Sequence, residues 1–354
     1  MAQTFQRRHF MITAAAAAVT AGLPGIATAQ PRKVKLPKHK PLDPVNPDIL
    51  FGTTGSIWGE AGVGATRVYN TEQAIRLISK LGLQGVEPYA GGINEYLDRP
   101  QVLKKICDDN NTTMRGASNG VKGQLVTVID KDQIAKSIED PVPFARDFLT
   151  VFGCDHWKIN MGARPQGGPS DDQLKVLANS LNELGRRTLE YGIRLAPHPH
   201  IWGPLEREAE VRRLFDLTDP KYVWMTADTG HLTLGGADAV QIISDYFPRL
   251  AEIHLKDTYA KYRGNKQTPT PEMHREASVY HNFGGGGVDF VGVFKVLREK
   301  HFKGWVVMDV DGPRKGDDGF DAIGGNMNVA TDNYLNHNIA YLRHVLGIKL
   351  PPQI

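Results

Sequence analysis

Short apolar runs alternate along the chain with longer stretches in which apolar residues recur every three or four positions. The short runs predict strands at Ile49–Thr53, Gly85–Pro88, Thr113–Ala117, His156–Asn160, Ile193–Pro197, Tyr222–Ala227, Glu252–Leu255 and Trp305–Met308. The longer stretches predict helices over about 70–81, 95–108, 131–152, 172–191, 206–216, 237–247, 290–301 and 331–345. Strands and helices in strict alternation, with no hairpin signature between them, predict an α/β fold in one domain over 47–350, a parallel (β/α)8 barrel. A doubly wound open sheet alternates in the same way. It needs a glycine-rich phosphate turn after the first strand, however, and Gly52, Gly55 and Gly59 have the wrong spacing.

The first 46 residues do not follow this pattern. Arg7-Arg8 precedes an apolar run, Met11 to Val19, with five consecutive alanines, and Ala27-Thr28-Ala29 closes the segment. Residues 1–29 resemble a twin-arginine export signal, which implies a periplasmic or otherwise exported protein. The run is too short and alanine-rich for a transmembrane helix, so no stable membrane insertion is expected after cleavage. Residues 30–46 carry Pro31, Pro37, Pro41 and Pro44 among Arg32, Lys33, Lys35, Lys38 and Lys40 and read as an extended linker.

Composition narrows the function classes. The chain has 354 residues, 41% hydrophobic and 23% charged, which supports a sizeable core and argues against a disordered chain or a multi-span membrane protein. Its 42 basic and 39 acidic residues give +3, and loss of Arg7 and Arg8 with the signal leaves +1. That balance offers no electrostatic case for nucleic acid. Cys107 and Cys154 are the two cysteines and are expected to be buried free thiols.

Charged and imidazole side chains collect where the predicted strands end. Glu87 closes the second strand, His198 and His200 follow the fifth, and Asp228 and His231 follow the sixth. His254 and Lys256-Asp257 end the seventh, and Asp309 and Asp311 the eighth. In a parallel barrel these ends share one mouth, where imidazole nitrogens and carboxylate oxygens together suit a divalent cation. Each position alone has a plainer role: Asp228 can cap a turn, and Lys256 can be an exposed lysine paired with Asp257. Of His198-Pro199-His200, only one imidazole is expected to point inward.

Asp228-Thr229-Gly230-His231, His254-Leu255-Lys256-Asp257, Gly284 to Phe290 and Trp305 to Asp309 resemble, in that order, the xylose isomerase-like TIM-barrel superfamily, which includes sugar isomerases and epimerases, inosose dehydratase and endonuclease IV. The resemblance implies one divalent metal (Mn, Co, Mg or Zn) on His198, Asp228, His254 and Asp309. His198 and Asp309 stand where the epimerases carry glutamates, and His198 and the long Thr258–Phe283 segment look more like the inosose dehydratase branch.

The chemistry implied is proton abstraction beside the carbonyl of a sugar or keto-sugar, giving an isomer or epimer, with elimination of water or an alcohol as the alternative outcome. Candidate bases are His200, Lys256 and Asp309. Glu87, His231, Trp58 and Trp202 are candidate substrate contacts. No nucleotide cofactor and no nucleic-acid partner are expected. A catalytically silent sugar-binding barrel is the remaining class. The long Thr258–Phe283 segment reads as a lid or a mobile loop.

Overall fold

Every predicted strand is present in the computed structural model: β1 Ile49–Thr54, β2 Gly85–Glu87, β3 Thr113–Met114, β4 His156–Ile159, β5 Arg194–Pro197, β6 Met225–Asp228, β7 Leu250–Leu255 and β8 Gly304–Met308. The structure describes residues 48–55, 59–60, 68–118, 131, 134–311 and 327–350. The export signal, the linker and Trp58 lie outside the described residues.

Parallel pairing runs β3-β2-β1-β8-β7-β6 in one arc, and β4 pairs with β5 in another. Bridges at Ser118–Lys158 and Leu195–Val223 join the two arcs into a barrel. Helices α1 (Thr71–Ile78), α2 (Pro100–Asp109), α3 (Ile134–Glu139), α4 (Asp171–Leu189), α5 (Glu208–Leu217), α6 (Thr229–Leu234), α7 (Ala239–Asp245), α8 (Pro271–Glu276), α9 (Phe290–Glu299) and α10 (Met327–Ala340) complete the fold. Among the described residues no helix is long and apolar enough to cross a membrane. Cys107 and Cys154 are buried and free.

The expected helix over 131–152 is interrupted. After α3, Pro141 and Pro143 break the ladder, and the chain resumes as a wide turn at Phe144–Phe148.

Strand alternation decides what fills the barrel. Trp157, Ile253 and Met308 belong to the continuous apolar layer between strands and helices, where Trp157 meets Phe144 at 5.5 Å between ring centroids. The residues between them point the other way: His156 and Lys158 on β4, Glu252 and His254 on β7. All four are at most 1% exposed. The Trp305 indole stands beside Glu252 in the strand register. A Cβ on Gly85 would lie 2.3 Å from the Trp305 ring, and one on Gly52 would meet the Gly85 carbonyl at 2.7 Å. Only glycine leaves room for Trp305 there.

The long Thr258–Phe283 segment, expected to be a lid or a mobile loop, is docked on the barrel. Asp257–Thr258 pairs antiparallel with Tyr280–His281, and Tyr262, Val279 and Tyr280 form a small second core with Ile201 and Leu234. It forms a built wall of the mouth.

Candidate metal centre and active site

Four buried side chains converge where the strands end. Donor atoms of His198, Asp228, His231 and Asp309 all lie within 4.8 Å of one another. His198 Nε2 is 3.5 Å from Asp228 Oδ2. His254 Nδ1 adds a fifth donor, 3.2 Å from Asp309 Oδ2 and 3.9 Å from Asp228 Oδ2. The backbone builds this local geometry: Asp228 ends β6 and caps α6, its Oδ1 accepting from the His231 N–H at 2.7 Å, which leaves Oδ2 to face the cluster.

His198 Nε2, Asp228 Oδ2, His231 Nδ1 and Asp309 Oδ1 are buried and without a hydrogen-bond partner. A buried polar atom left unpaired costs about 1–3 kcal/mol, so four at one point are a strong sign that something else satisfies them. Two nitrogens and two carboxylate oxygens are a donor set that holds a divalent metal.

Neighbouring groups orient these donors. His198 Nδ1 lies 2.9 Å from Asn160 Oδ1, an acceptor, so Nδ1 carries the proton and Nε2 keeps its lone pair for the cluster. His254 bonds a carboxylate at each nitrogen, Nε2 to Glu87 Oε2 at 3.1 Å and Nδ1 to Asp309 Oδ2 at 3.2 Å, so a metal on Nδ1 would take the place of its proton.

Electrostatics divides the site. Burial, reinforced by Lys158, drives His198 well below the ordinary histidine range. Burial and the nearby His200 do the same to His231. Both imidazoles are held neutral, the form a metal ligand needs. Burial pushes Asp228 up to about 7, whereas Asp309 is held well below the carboxylate range because Lys256 and His254 outweigh its burial. His254 moves upward because Glu87 and Glu252 outweigh burial.

Lys256 corrects the reading of an exposed lysine paired with Asp257. It is 3% exposed, bonds Asp311 and lies 3.5 Å from Asp309. Burial lowers its proton affinity, but the two aspartates more than offset this, and it stays an ammonium, 4.2 Å from the Tyr280 ring centroid. Asp257 points to the opposite face, where its carboxylate accepts from the N–H groups of Gly284 and Gly285 at 2.9 Å and Val288 at 3.1 Å. The glycine segment is therefore held by Asp257.

Both histidines of His198-Pro199-His200 reach the mouth, which corrects the expectation of one: residues two apart in an extended chain share a face. The His200 ring stacks 3.7 Å from that of His231. His200 Nδ1 donates to the Ile201 carbonyl, leaving Nε2 as a lone pair, and burial lowers its pKa to about 4. Trp202 sits at the rim with φ +64, its Nε1 donating to the Pro269 carbonyl at 2.7 Å and its ring 5.4 Å from that of His274. Glu87 is 2% exposed and occupied by His254 and Lys158.

Lys158, Asn160, His156 and Glu252 escaped the sequence reading. Their signal is strand alternation: His156-x-Lys158-x-Asn160 and Glu252-x-His254-x-Lys256 each place three polar groups on one face, which an apolar barrel interior would not.

The sequence profile of the family described as Xylose isomerase-like TIM barrel matches residues 75–330. The chain belongs to this family. An inosose dehydratase of Clostridium perfringens (strain 13 / Type A) is 30% identical over 283 residues, covering 75% of this chain and 91% of its own. Its counterpart in Clostridium beijerinckii is 27% identical over 256 residues, covering 68% and 82%. Among solved structures, the E. coli 3-keto-D-glucoside 4-epimerase YcjR superposes with TM-score 0.60 at 18% identity, covering 83% of this chain and 99% of that one. The IOLI protein, whose structure holds a zinc atom, superposes with TM-score 0.62 at 12% identity, covering 84% and 98%.

Proposed function

We propose that this chain is a metal-dependent lyase acting on a keto-sugar or inosose: it removes the proton beside a carbonyl, and water or an alcohol leaves from the next carbon. The observation that carries the reading is the convergence of unpartnered donors of His198, Asp228 and Asp309, with His254 Nδ1 beside them, next to the free imidazole nitrogen of His200. His198, Asp228, His254 and Asp309 would hold the metal, and His231, whose donor lies within 4.8 Å of those of His198, Asp228 and Asp309, would serve as a further donor or a substrate contact. A divalent cation there supplies positive charge that makes the neighbouring C–H more acidic.

The chain's own groups divide the remaining work. His200 Nε2, neutral at physiological pH, takes the proton. The electron pair left on carbon expels the group on the adjacent carbon. Lys256, held as an ammonium between Asp309 and Asp311, gives a proton to that leaving oxygen. Proton removed and proton delivered balance, and the products are an unsaturated ketone and water or an alcohol. Asp309, held anionic against Lys256 and His254, acts as a ligand rather than as the base. Trp202 and His231 offer a ring face and an imidazole to the sugar.

Elimination is favoured by the inosose dehydratases, which match most of both chains. Isomerisation or epimerisation shares the first step, and the structural likeness to a 3-keto-D-glucoside 4-epimerase keeps it as the second reading. Metal-loaded protein incubated with inososes, 3-keto-glucosides and ketohexoses in D2O separates them. Elimination gives an enone absorbing in the ultraviolet with loss of water or an alcohol. Epimerisation gives deuterium uptake at unchanged carbon skeleton. Neither result, with metal bound, points to a sugar-binding barrel.

We place this chemistry outside the cytoplasmic membrane on the strength of Arg7-Arg8 and Ala27-Thr28-Ala29. Replacing both arginines by lysine should leave unprocessed chain in the cytoplasm on cell fractionation. Unaltered export of that variant would remove the twin-arginine assignment.

A further inference from the structure

Beneath the donor cluster lies a second buried layer. Glu87, Glu252 and His254 also bring donor atoms within 4.8 Å of one another. This layer already holds its own cations. Lys158 Nζ is 3.2 Å from Glu87 Oε1, and His156 Nε2 is 3.0 Å from Glu252 Oε2. A divalent ion there would have to displace both.

Lys158 has no counterpart in the chemistry proposed above. It is 1% exposed, springs from β4 beneath the Tyr89 ring (5.4 Å) and faces the barrel axis. Burying an ammonium against one carboxylate stabilises a fold little, and apolar residues of similar volume often do as well or better. Its place is explained by what Glu87 does with its other oxygen. Oε1 meets Lys158 and Oε2 meets His254 Nε2 at 3.1 Å, so the carboxylate plane is fixed from both sides.

We infer that Lys158 is a positioning residue for the metal centre, acting through Glu87 to turn the His254 ring so that Nδ1 faces Asp228 and Asp309. The inference rests on the metal reading proposed above. Without the ammonium, Glu87 is free to rotate, and the His254 ring is left to Asp309 at Nδ1 and to Glu252, 3.7 Å from Nε2. Partners of this kind, one step removed from a metal, typically contribute about 10–100-fold to its affinity.

The test is Co²⁺ binding, read by visible absorption and by competition with a chelating indicator, on the wild-type protein and on Lys158→Met, Glu87→Gln and the double variant. Lys158→Met should lose about 10–100-fold in Co²⁺ affinity and show a shifted d–d band, because the ligand geometry relaxes. The double variant removes both charges of the Lys158–Glu87 pair and leaves His254 to Glu252 and Asp309, so its melting temperature should exceed that of Lys158→Met while its affinity stays low. If Lys158→Met does not fold, the double variant carries the same expectation of weak binding. Wild-type affinity and spectrum in Lys158→Met, or recovery of both with melting temperature in the double variant, would make Lys158 purely structural and overturn the inference. A wild-type protein that binds no Co²⁺ overturns the metal reading itself and this inference with it.

Discussion

Asp228→Asn should empty the metal centre and lower turnover by about 10³-fold, the several kcal/mol that a Lewis acid supplies, while the variant melts close to metal-free wild type. Asp228 is the hub of the cluster: Oδ2 lies 3.5 Å from His198 Nε2 and 3.9 Å from His254 Nδ1, and Oδ1 caps α6. Asparagine keeps the cap acceptor and removes the charge. Asp228→Ala removes both and should lose about a further 1 kcal/mol of stability with the cap. Metal content by elemental analysis, steady-state turnover and thermal melting separate the two roles. Full metal content and turnover in Asp228→Asn would sink the proposed centre.

His156→Leu should cost about 3–5 kcal/mol, the usual penalty for leaving one member of a buried ion pair alone. His156 lies between Asp155 at 2.8 Å and Glu252 at 3.0 Å, and His156 and Glu252 are both at most 1% exposed. The double variant His156→Leu/Glu252→Leu should recover much of the loss, because it removes the uncompensated carboxylate along with its partner. The same pair sets a pH dependence. Burial lowers the proton affinity of His156, but Glu252 and Asp155 outweigh it and raise the pKa to about 9. A raised pKa means the folded state holds the proton more tightly. This contribution is therefore complete below the unfolded value of about 6.5 and is lost as pH rises through 9. Melting temperature measured from pH 6 to 10 should fall across that window in the wild type and much less in the double variant. Equal slopes in the two proteins would show that the pair does not control alkaline stability.

The barrel was legible because its signal is repeated: apolar runs such as Trp305–Met308 stand between amphipathic helices such as Asp171–Leu189, and each repeat supports the next. The mouth was legible for a related reason, since His198, Asp228, His254 and Asp309 all fall just where an apolar run stops. The interior was harder. His156, Lys158 and Glu252 lie inside runs classed as strands by their apolar neighbours, and only period-2 counting separates their face from that of Trp157 and Ile253. The partner of Lys256 was hidden by the same rule, because adjacent residues in a strand point apart and Asp257 cannot reach it. The break after α3 should have been visible, because Pro141 and Pro143 stand within the span read as one helix. The docking of Thr258–Phe283 depends on contacts with Ile201 and Leu234, far away in sequence, and no local pattern announces it.

The two arcs of strands meet at seams held by the bridges Ser118–Lys158 and Leu195–Val223. His198 follows β5 in the smaller arc, while Asp228, His254 and Asp309 belong to the larger one. An ion gripped by all four would act as a clasp across the Leu195–Val223 seam, so that chemistry and mechanical closure share one bond set. A ligand at a thousand times its dissociation constant adds about 4 kcal/mol to a fold, and here that gain would be concentrated where the wall is thinnest. Stripping the metal should therefore quicken amide exchange first in β5 and β6, and the barrel would loosen along one edge before it unfolds.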